Sequence, residues 1–436
     1  LILSGLLQSA IPFTQTFFVA QLGTKALAAG AIAVTTLSIV YCLIFGVLTA
    51  TNILIAREYG AGKTKNISII MRGSFQLGAV LTVLCFLVFW FFPYFLVLIG
   101  QPPTITQLVS SYMHAMIPGL PPLFIFIILS DFYLGLGKTQ ILLKITVIDL
   151  LVILLFSYIF IFGKLGMPAL GILGAGLAVS VANWTSALVL VLYTLSCKEY
   201  QLAFRGLLSK SNQSYTGELI KVGIPLALTY CVETVSFFVF NLLMASLGIL
   251  FIAASQIVIQ YLYIFCGIYT AISRAITIQM GYFIGSGTLA LAKKTAYFAL
   301  IFNLSLALIV SILFWYFPRI IISLDLDINE TNKSIISLAE KLLLMGAMYQ
   351  FFESLRMVFT GVLLSYKRTV SPLIITIICY WLIALPLGYV LAYKFQYKGE
   401  GLWLGLVAGN AIATFLLFIA LKWNGSYGGD KDKKPL

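Results

Sequence analysis

Residues Leu247–Gly287 read LGILFIAASQIVIQYLYIFCGIYTAISRAITIQMGYFIGSG, and residues Leu22–Gly62, 225 positions earlier, read LGTKALAAGAIAVTTLSIVYCLIFGVLTATNILIAREYGAG. The Leu-Gly at the head of each aligns without a gap, as do Ala28-Ala29 with Ala253-Ala254, Ile32 with Ile257, Leu37 with Leu262, and Gly60-x-Gly62 with Gly285-x-Gly287. Apolar helices align a few leucines by chance; they rarely align two glycine motifs thirty-seven residues apart. Further on, Gly135 pairs with Ser365 and Gly174 with Gly401, at offsets of 230 and 227, so small insertions follow. The chain is an internal duplication.

Outward from these stretches the composition stays apolar. Of 436 residues, 61% are apolar and 9% charged, and the mean hydropathy is +1.05. Soluble domains carry about 25% charged residues, so a soluble enzyme is excluded, as are disordered and collagen-like chains. Nearly unbroken apolar runs such as Phe298–Phe314 exclude the alternating segments of a transmembrane barrel. The net charge of +13 sits between apolar spans, which points to basic loops and not to a nucleic-acid partner. The six cysteines form no CxxC pair and read as small core residues. His114 is the single histidine, so there is no histidine metal cluster. The chain begins inside an apolar run, and we expect residues to precede Leu1 and see no signal peptide.

A span needs about 20 apolar residues. Twelve are expected, at 1–22, 31–56, 73–99, 112–136, 141–163, 170–196, 222–247, 250–284, 295–323, 336–363, 371–393 and 401–423. The expected fold class is an all-α polytopic membrane protein, twelve transmembrane helices in two pseudo-symmetric six-helix lobes: 1–196, a linker at 197–221, 222–423, and a disordered tail at 424–436. Eighteen of the 27 Lys and Arg fall in even-numbered loops and the tail, against six in odd-numbered loops. Both termini are therefore expected in the cytoplasm. Six spans per repeat give both halves the same orientation, and parallel repeats are a transporter signature.

An ionisable residue inside a span is a functional candidate by default. Four acids qualify: Asp131, Asp149, Glu233 and Glu353. Glu233 shares a helical face with Thr229, Ser236 and Phe240. Glu353 has Tyr349 one turn before it and Arg356 three residues after it. A carboxyl poised between burial and a nearby cation can exchange a proton or hold Na⁺; the alternative is a static Glu353–Arg356 pair that locks span ten. Span eight carries Gln256, Gln260, Tyr263, Gly267, Thr270 and Arg274 at spacings that keep one face. Its repeat mate carries Thr35, Ser38, Cys42, Phe45 and Thr49, for which cavity lining and small-residue packing both stand. Asp131 is expected to pair with Lys138, and His114 to sit near the outer end of span four; Asp149 is left without an assigned role. Gly60-Ala-Gly62-Lys63-Thr64 lacks the spacing of a phosphate loop and follows no strand, which rejects ATP-driven transport.

QTFFVAQLGTKALAA (Gln15–Ala29), REYGAGK (Arg57–Lys63), GIPLALTYCVE (Gly223–Glu233), SLGILFIAASQI (Ser246–Ile257), FESLRMVFTG (Phe352–Gly361) and GLWLG (Gly401–Gly405), in this order, resemble the multidrug and toxic compound extrusion (MATE) family of the MOP flippase superfamily. The resemblance implies an antiporter that exports organic cations and amphipathic compounds against H⁺ or Na⁺, with no further cofactor and no enzymatic activity. It places Glu233 and Glu353 on the family's acids of spans seven and ten, and Tyr349 on the aromatic before the latter. Cavity lining by Gln256, Gln260, Tyr263, Arg274, Tyr230, Phe237, Arg356, Gln15 and Thr35 is expected.

The first half departs from the family pattern. Gln15 stands where many prokaryotic members have Asp; Ile153, Ser157 and Tyr158 stand at the NxxxDP motif of span five; Val179 stands at the Thr of span six. A hard cation has lost its oxygen cage there, so ion coupling is expected to run through the second half. The alternative in the same superfamily is a flippase of lipid-linked saccharides, which calls for several cavity Arg or Lys; only Arg274 and Arg356 lie well inside spans, away from their ends. A monomer in a bacterial inner or plasma membrane is expected, with the lipid bilayer and small cationic or amphipathic molecules as partners.

Overall fold

The structure, a computed structural model, describes residues 11, 14–205, 213–324 and 332–425. Eleven helices among the described residues are long and apolar enough to cross a membrane. With the helical stretch 14–20 as α1, they are α2 (Thr24–Gly60), α3 (Thr64–Leu98), α4 (Pro103–Gly135), α5 (Gln140–Phe162), α6 (Ile172–Ser196), α7 (Thr216–Ser246), α8 (Ile249–Gly285), α9 (Leu289–Tyr316), α10 (Lys333–Ser365), α11 (Val370–Lys394) and α12 (Lys398–Gly425). Most of the first expected span, and the tail beyond Gly425, lie outside the described residues. Helix is what the composition demands, because a backbone in hydrocarbon must satisfy its own polar groups.

The helices outrun their apolar cores. α2 and α8 have 37 residues each, about 55 Å at 1.5 Å per residue, against a hydrocarbon layer of ~30 Å. The expected starts at 31, 73 and 112 are therefore corrected to Thr24, Thr64 and Pro103. The early start of α4, with Pro102 and Pro103 at its head, carries His114 about a third of the way along that helix and not to its end. In the opposite sense, the ninth span ends at Tyr316. Phe317 leaves the helical conformation (φ −125°, ψ 39°), and Pro318 opens a separate short helix, Pro318–Ile322; proline has no N–H to continue the ladder.

The duplication persists in backbone geometry. α2 and α8 start after Gly23 (φ 99°) and Gly248 (φ 122°), and two residues beyond their ends stand Gly62 (φ 70°) and Gly287 (φ 75°). α4 and α10 end at Gly135 and Ser365, and the left-handed residue that follows is Gly137 (φ 73°) in one and Lys367 (φ 61°) in the other. The repeat has kept the turn where it has lost the glycine.

Two compact units divide the chain, Leu1–Ala227 and Leu228–Leu436. In the first, α4 packs against α2, α3 and α6, and α5 covers α6. In the second, α10 packs against α8, α9 and α12, and α11 covers α12. The division falls inside α7 because its opening turns pack on the first unit: a side chain on Gly223 would strike the Val47 carbonyl, and one on Gly46 would strike the backbone of Ala227. α10 is tied by its carbonyls. Asn303 of α9 donates to Ser354 O (2.7 Å), Ser273 of α8 to Met357 O (2.7 Å) and Thr414 of α12 to Phe352 O (3.0 Å). Interhelical bonds and small-residue contacts of this kind supply the association that a hydrophobic effect cannot drive in lipid.

The tightest of those contacts in the second unit joins α12 to α11. A Cβ on Gly405 would stand 2.5 Å from both the Ala384 carbonyl oxygen and the Gly388 Cα, whereas one on Gly267 of α8 meets nothing within 4 Å. Gly405→Ala is expected to destabilise the protein by about 1–3 kcal/mol and Gly267→Ala to leave it unchanged, read as thermal unfolding of the purified protein in detergent.

Candidate functional site

The second unit buries three charged side chains together. Arg356 of α10 is 4% exposed and Glu353, one turn before it, 3%. Arg356 donates to Glu353 twice, from Nε to Oε2 (2.8 Å) and from Nη2 to Oε1 (2.6 Å). Its remaining terminal nitrogen, Nη1, donates to Oε1 of Glu233 on α7 (2.6 Å). The guanidinium fork thus spends one edge on a bidentate pair within its own helix and the other on a second helix, an arrangement its planar geometry permits and an ammonium would not.

The two carboxylates are held differently. Both oxygens of Glu353 meet Arg356, and Oε2 also accepts from Asn410 Nδ2 of α12 (3.1 Å). Glu233 accepts one bond through Oε1; its side chain is 19% exposed and lines a cavity of about 190 Å³. One guanidinium against two carboxylates leaves one negative charge over, on the side open to the cavity. Aromatic groups frame it. Arg356 lies over the Tyr380 ring (5.8 Å to the centroid), the Tyr380 and Tyr349 hydroxyls share a hydrogen bond (3.2 Å), and Tyr349 packs edge-on to Phe237 and Trp403. Tyr380 stands in a π-helical stretch of α11, Ile377–Ala384, a local widening of the kind that recurs at functional sites.

Glu233, Glu353, Tyr349, Phe237, Tyr263 and Arg356 all line this cavity. The rest of the polar stripe on α8 does not: Gln256 and Gln260 are exposed, Gln256 donates to Asn241 Oδ1 (3.2 Å), and Arg274 is half-buried farther along. α8 meets the cavity through Ile259, Leu262, Cys266 and Tyr269 instead, because the face turned to α10 must fit beside Gly346, against which Val258 and Leu262 pack. Tyr230 is half-buried and also outside the cavity. Gln15 and Thr35 belong to the first unit, where with Tyr112 they line a separate cavity of about 270 Å³. There Gln15 Nε2 donates to Ser157 Oγ (2.8 Å), so two of the departures from the family pattern meet as a neutral pair.

The other candidates find neighbours the sequence does not suggest. Asp131 accepts from Asn52 Nδ2 of α2 (2.7 Å), and Asp149 accepts from Ser186 of α6 (2.7 Å). His114 stacks on Trp90 (4.9 Å). Asn410 and Tyr380 escaped the reading of the sequence. An asparagine in the apolar run of α12 was a legible signal for the first; one tyrosine among 23 is none for the second.

Residues 1–159 and 225–390 match the MatE family model. The chain belongs to the MATE family. Its relatives include the probable multidrug resistance protein NorM of Pseudomonas aeruginosa, 30% identical over 427 residues that cover 97% of this chain and 87% of that one. Multidrug resistance protein MdtK of Yersinia pseudotuberculosis is 29% identical, covering 87% and 83%. In fold, this MATE chain matches the Vibrio cholerae MATE transporter VcmN in its bent form (TM-score 0.86, 19% identity, 97% and 94% covered) and the eukaryotic MATE transporter AtDTX14 (0.81, 21%, 97% and 93%).

Removing the shared cation from this MATE chain strands two carboxylates. Arg356→Ala is expected to cost about 3–5 kcal/mol, as for one partner taken from a buried ion pair. Glu233→Gln, which leaves an amide oxygen for Nη1, is expected to cost less; chemical unfolding in detergent ranks the two.

Proposed function

We propose that this MATE protein is a secondary antiporter that exports organic cations and amphipathic drugs in exchange for H⁺ or Na⁺, with coupling at Glu233, Arg356 and Glu353. The observation that carries the reading is the uneven charge count: two carboxylates on one guanidinium, with the loosely held carboxylate facing a cavity. One proton or one Na⁺ at Glu233 neutralises the site, and so does one cationic substrate. Ion and substrate compete for the same charge, which is the requirement for exchange. Neutralisation also removes the cost of enclosing an uncompensated charge, so only a loaded site changes its access from one side of the bilayer to the other by alternating access.

Substrate class rests on the relatives' names, multidrug resistance proteins, and on the walls. Phe237, Tyr263 and Tyr349 offer apolar and cation–π contacts, and a site with few fixed hydrogen bonds tolerates varied ligands. The neutral Gln15–Ser157 pair supports placing coupling in the second half alone. The flippase reading finds no support in this cavity, since its one cation is already committed to two carboxylates. The charge pattern of the loops supports cytoplasmic termini in a bacterial inner membrane, and we take the working unit to be a monomer.

Ethidium efflux from proteoliposomes, with pH and Na⁺ gradients imposed separately, tests the reading. Glu233→Gln and Glu353→Gln are expected to abolish gradient-driven efflux while the protein remains folded, and Gln15→Ala to retain most of it. Undiminished efflux in both Gln variants refutes coupling at this site; loss in Gln15→Ala equal to that of Glu233→Gln puts the coupling in the other half. The gradient that drives the wild type names the ion.

A further inference from the structure

We infer that Asn410 of α12 is a positioning residue that keeps Glu353 committed to Arg356 and so reserves Glu233 for the ion; the inference rests on the coupling role proposed above for these acids. Asn410 is fully buried. Its amide nitrogen donates one hydrogen to Glu353 Oε2 (3.1 Å) and the other to the main-chain carbonyl of Tyr349 (3.2 Å). Both neighbours are pure acceptors, so the NH₂ end must face them; the reverse orientation would set the amide oxygen against a carboxylate and a carbonyl. The amide oxygen itself has no protein partner.

The duplication separates a scaffold role from a role at the site. At the offset of 227, the mate of Asn410 is Asn183 of α6, and at 230 the mate of Tyr349 is Gly119 of α4. Asn183 Nδ2 donates to Gly119 O at 3.2 Å, reproducing the bond from Asn410 to Tyr349 O. That bond is therefore common to both halves and clips helix to helix. The bond to Glu353 exists in the second half alone, because the mates of Glu353 and Arg356 are Leu123 and Phe126. With Oε2 occupied by Arg356 Nε and Asn410, and Oε1 by Arg356 Nη2, Glu353 has each oxygen engaged. Without Asn410, Oε2 loses a donor that competes with the ion, and a second carboxylate opens to loading.

The test measures gradient-driven ethidium efflux from proteoliposomes against H⁺ or Na⁺ activity for the wild type, Asn410→Ala, Asn410→Ser and Asn183→Ala, with thermal unfolding of each. Serine is the second variant because its hydroxyl can bond back to its own helix and so leaves no unpaired buried donor. The expected result is that both Asn410 variants load at about tenfold lower ion activity, the weight of one hydrogen bond to a charged group, with a lower maximal rate because release is slowed. Asn183→Ala is expected to lose stability without moving the half-saturating activity. Should the Asn410 variants lose stability or maximal rate with no shift in the half-saturating ion activity, Asn410 is a helix clip like Asn183 and the inference is overturned. Should Glu233→Gln keep full gradient-driven efflux, the coupling reading itself falls, whatever the Asn410 variants do.

Discussion

A guanidinium buried in a membrane protein must be neutralised, and Arg356 answers that demand with two acids from different helices. An ion of this size left unpaired in a low-dielectric interior costs several kcal/mol. The second unit is organised around avoiding that cost. α10 brings Arg356 and Glu353 on one turn, α7 brings Glu233, α11 lays Tyr380 against the guanidinium and α12 sends in Asn410. α10 is also the helix on which α8, α9 and α12 converge. The residue with the most demanding electrostatics thus stands on the element with the most neighbours to satisfy it.

The two halves carry the same scaffold with different contents. Turns, the lengths of α2 with α8 and of α4 with α10, and the asparagine clip are shared. A contact between α2 and α4 shows how contents drift while geometry stays. Asn52 donates to the Asp131 side chain, and at the corresponding offsets Thr277 of α8 donates to the Gly361 carbonyl of α10 (3.0 Å). One half has a buried acid as the acceptor at this crossing, the other a main-chain carbonyl. The reverse holds at the candidate site, where the second half has charges and the first has Leu123, Phe126 and the Gln15–Ser157 pair. A duplicated frame can therefore hold one ionic centre and one cavity lined by neutral residues.

How far the sequence could be read follows from the range of each interaction. Apolar runs set helix existence, since burial in lipid depends on composition over twenty residues; the ends were misread because polar turns continue a helix once it is nucleated. The Glu353–Arg356 pair was legible at a spacing of three residues. The bond from Arg356 to Glu233 crosses 123 residues and that from Asn410 to Glu353 crosses 57, and no local pattern encodes either. The stripe on α8 is a true periodicity, but spacing tells which residues share a face, not which face meets α10: Tyr263 lines the cavity beside Glu233 while Gln256 and Gln260 are exposed elsewhere. Tyr380 depends on a π-helical stretch of α11, which shifts every later side chain relative to a regular helix.

Size argues for charge, and not shape, as the common currency of the site. A pocket for a drug-sized ligand is about 300–1,000 Å³, and the space beside Glu233 is about 190 Å³. That volume admits a hydrated ion or the ammonium head of a larger molecule, with the remainder lying along exposed apolar side chains such as Tyr263, which is 61% exposed. Under the proposed function, such a site would select by charge at Glu233 and ask little of the rest of the ligand. On the proposed exchange, a small ion and chemically varied cations would need no refitted pocket for each, because both would meet the protein at the same carboxylate.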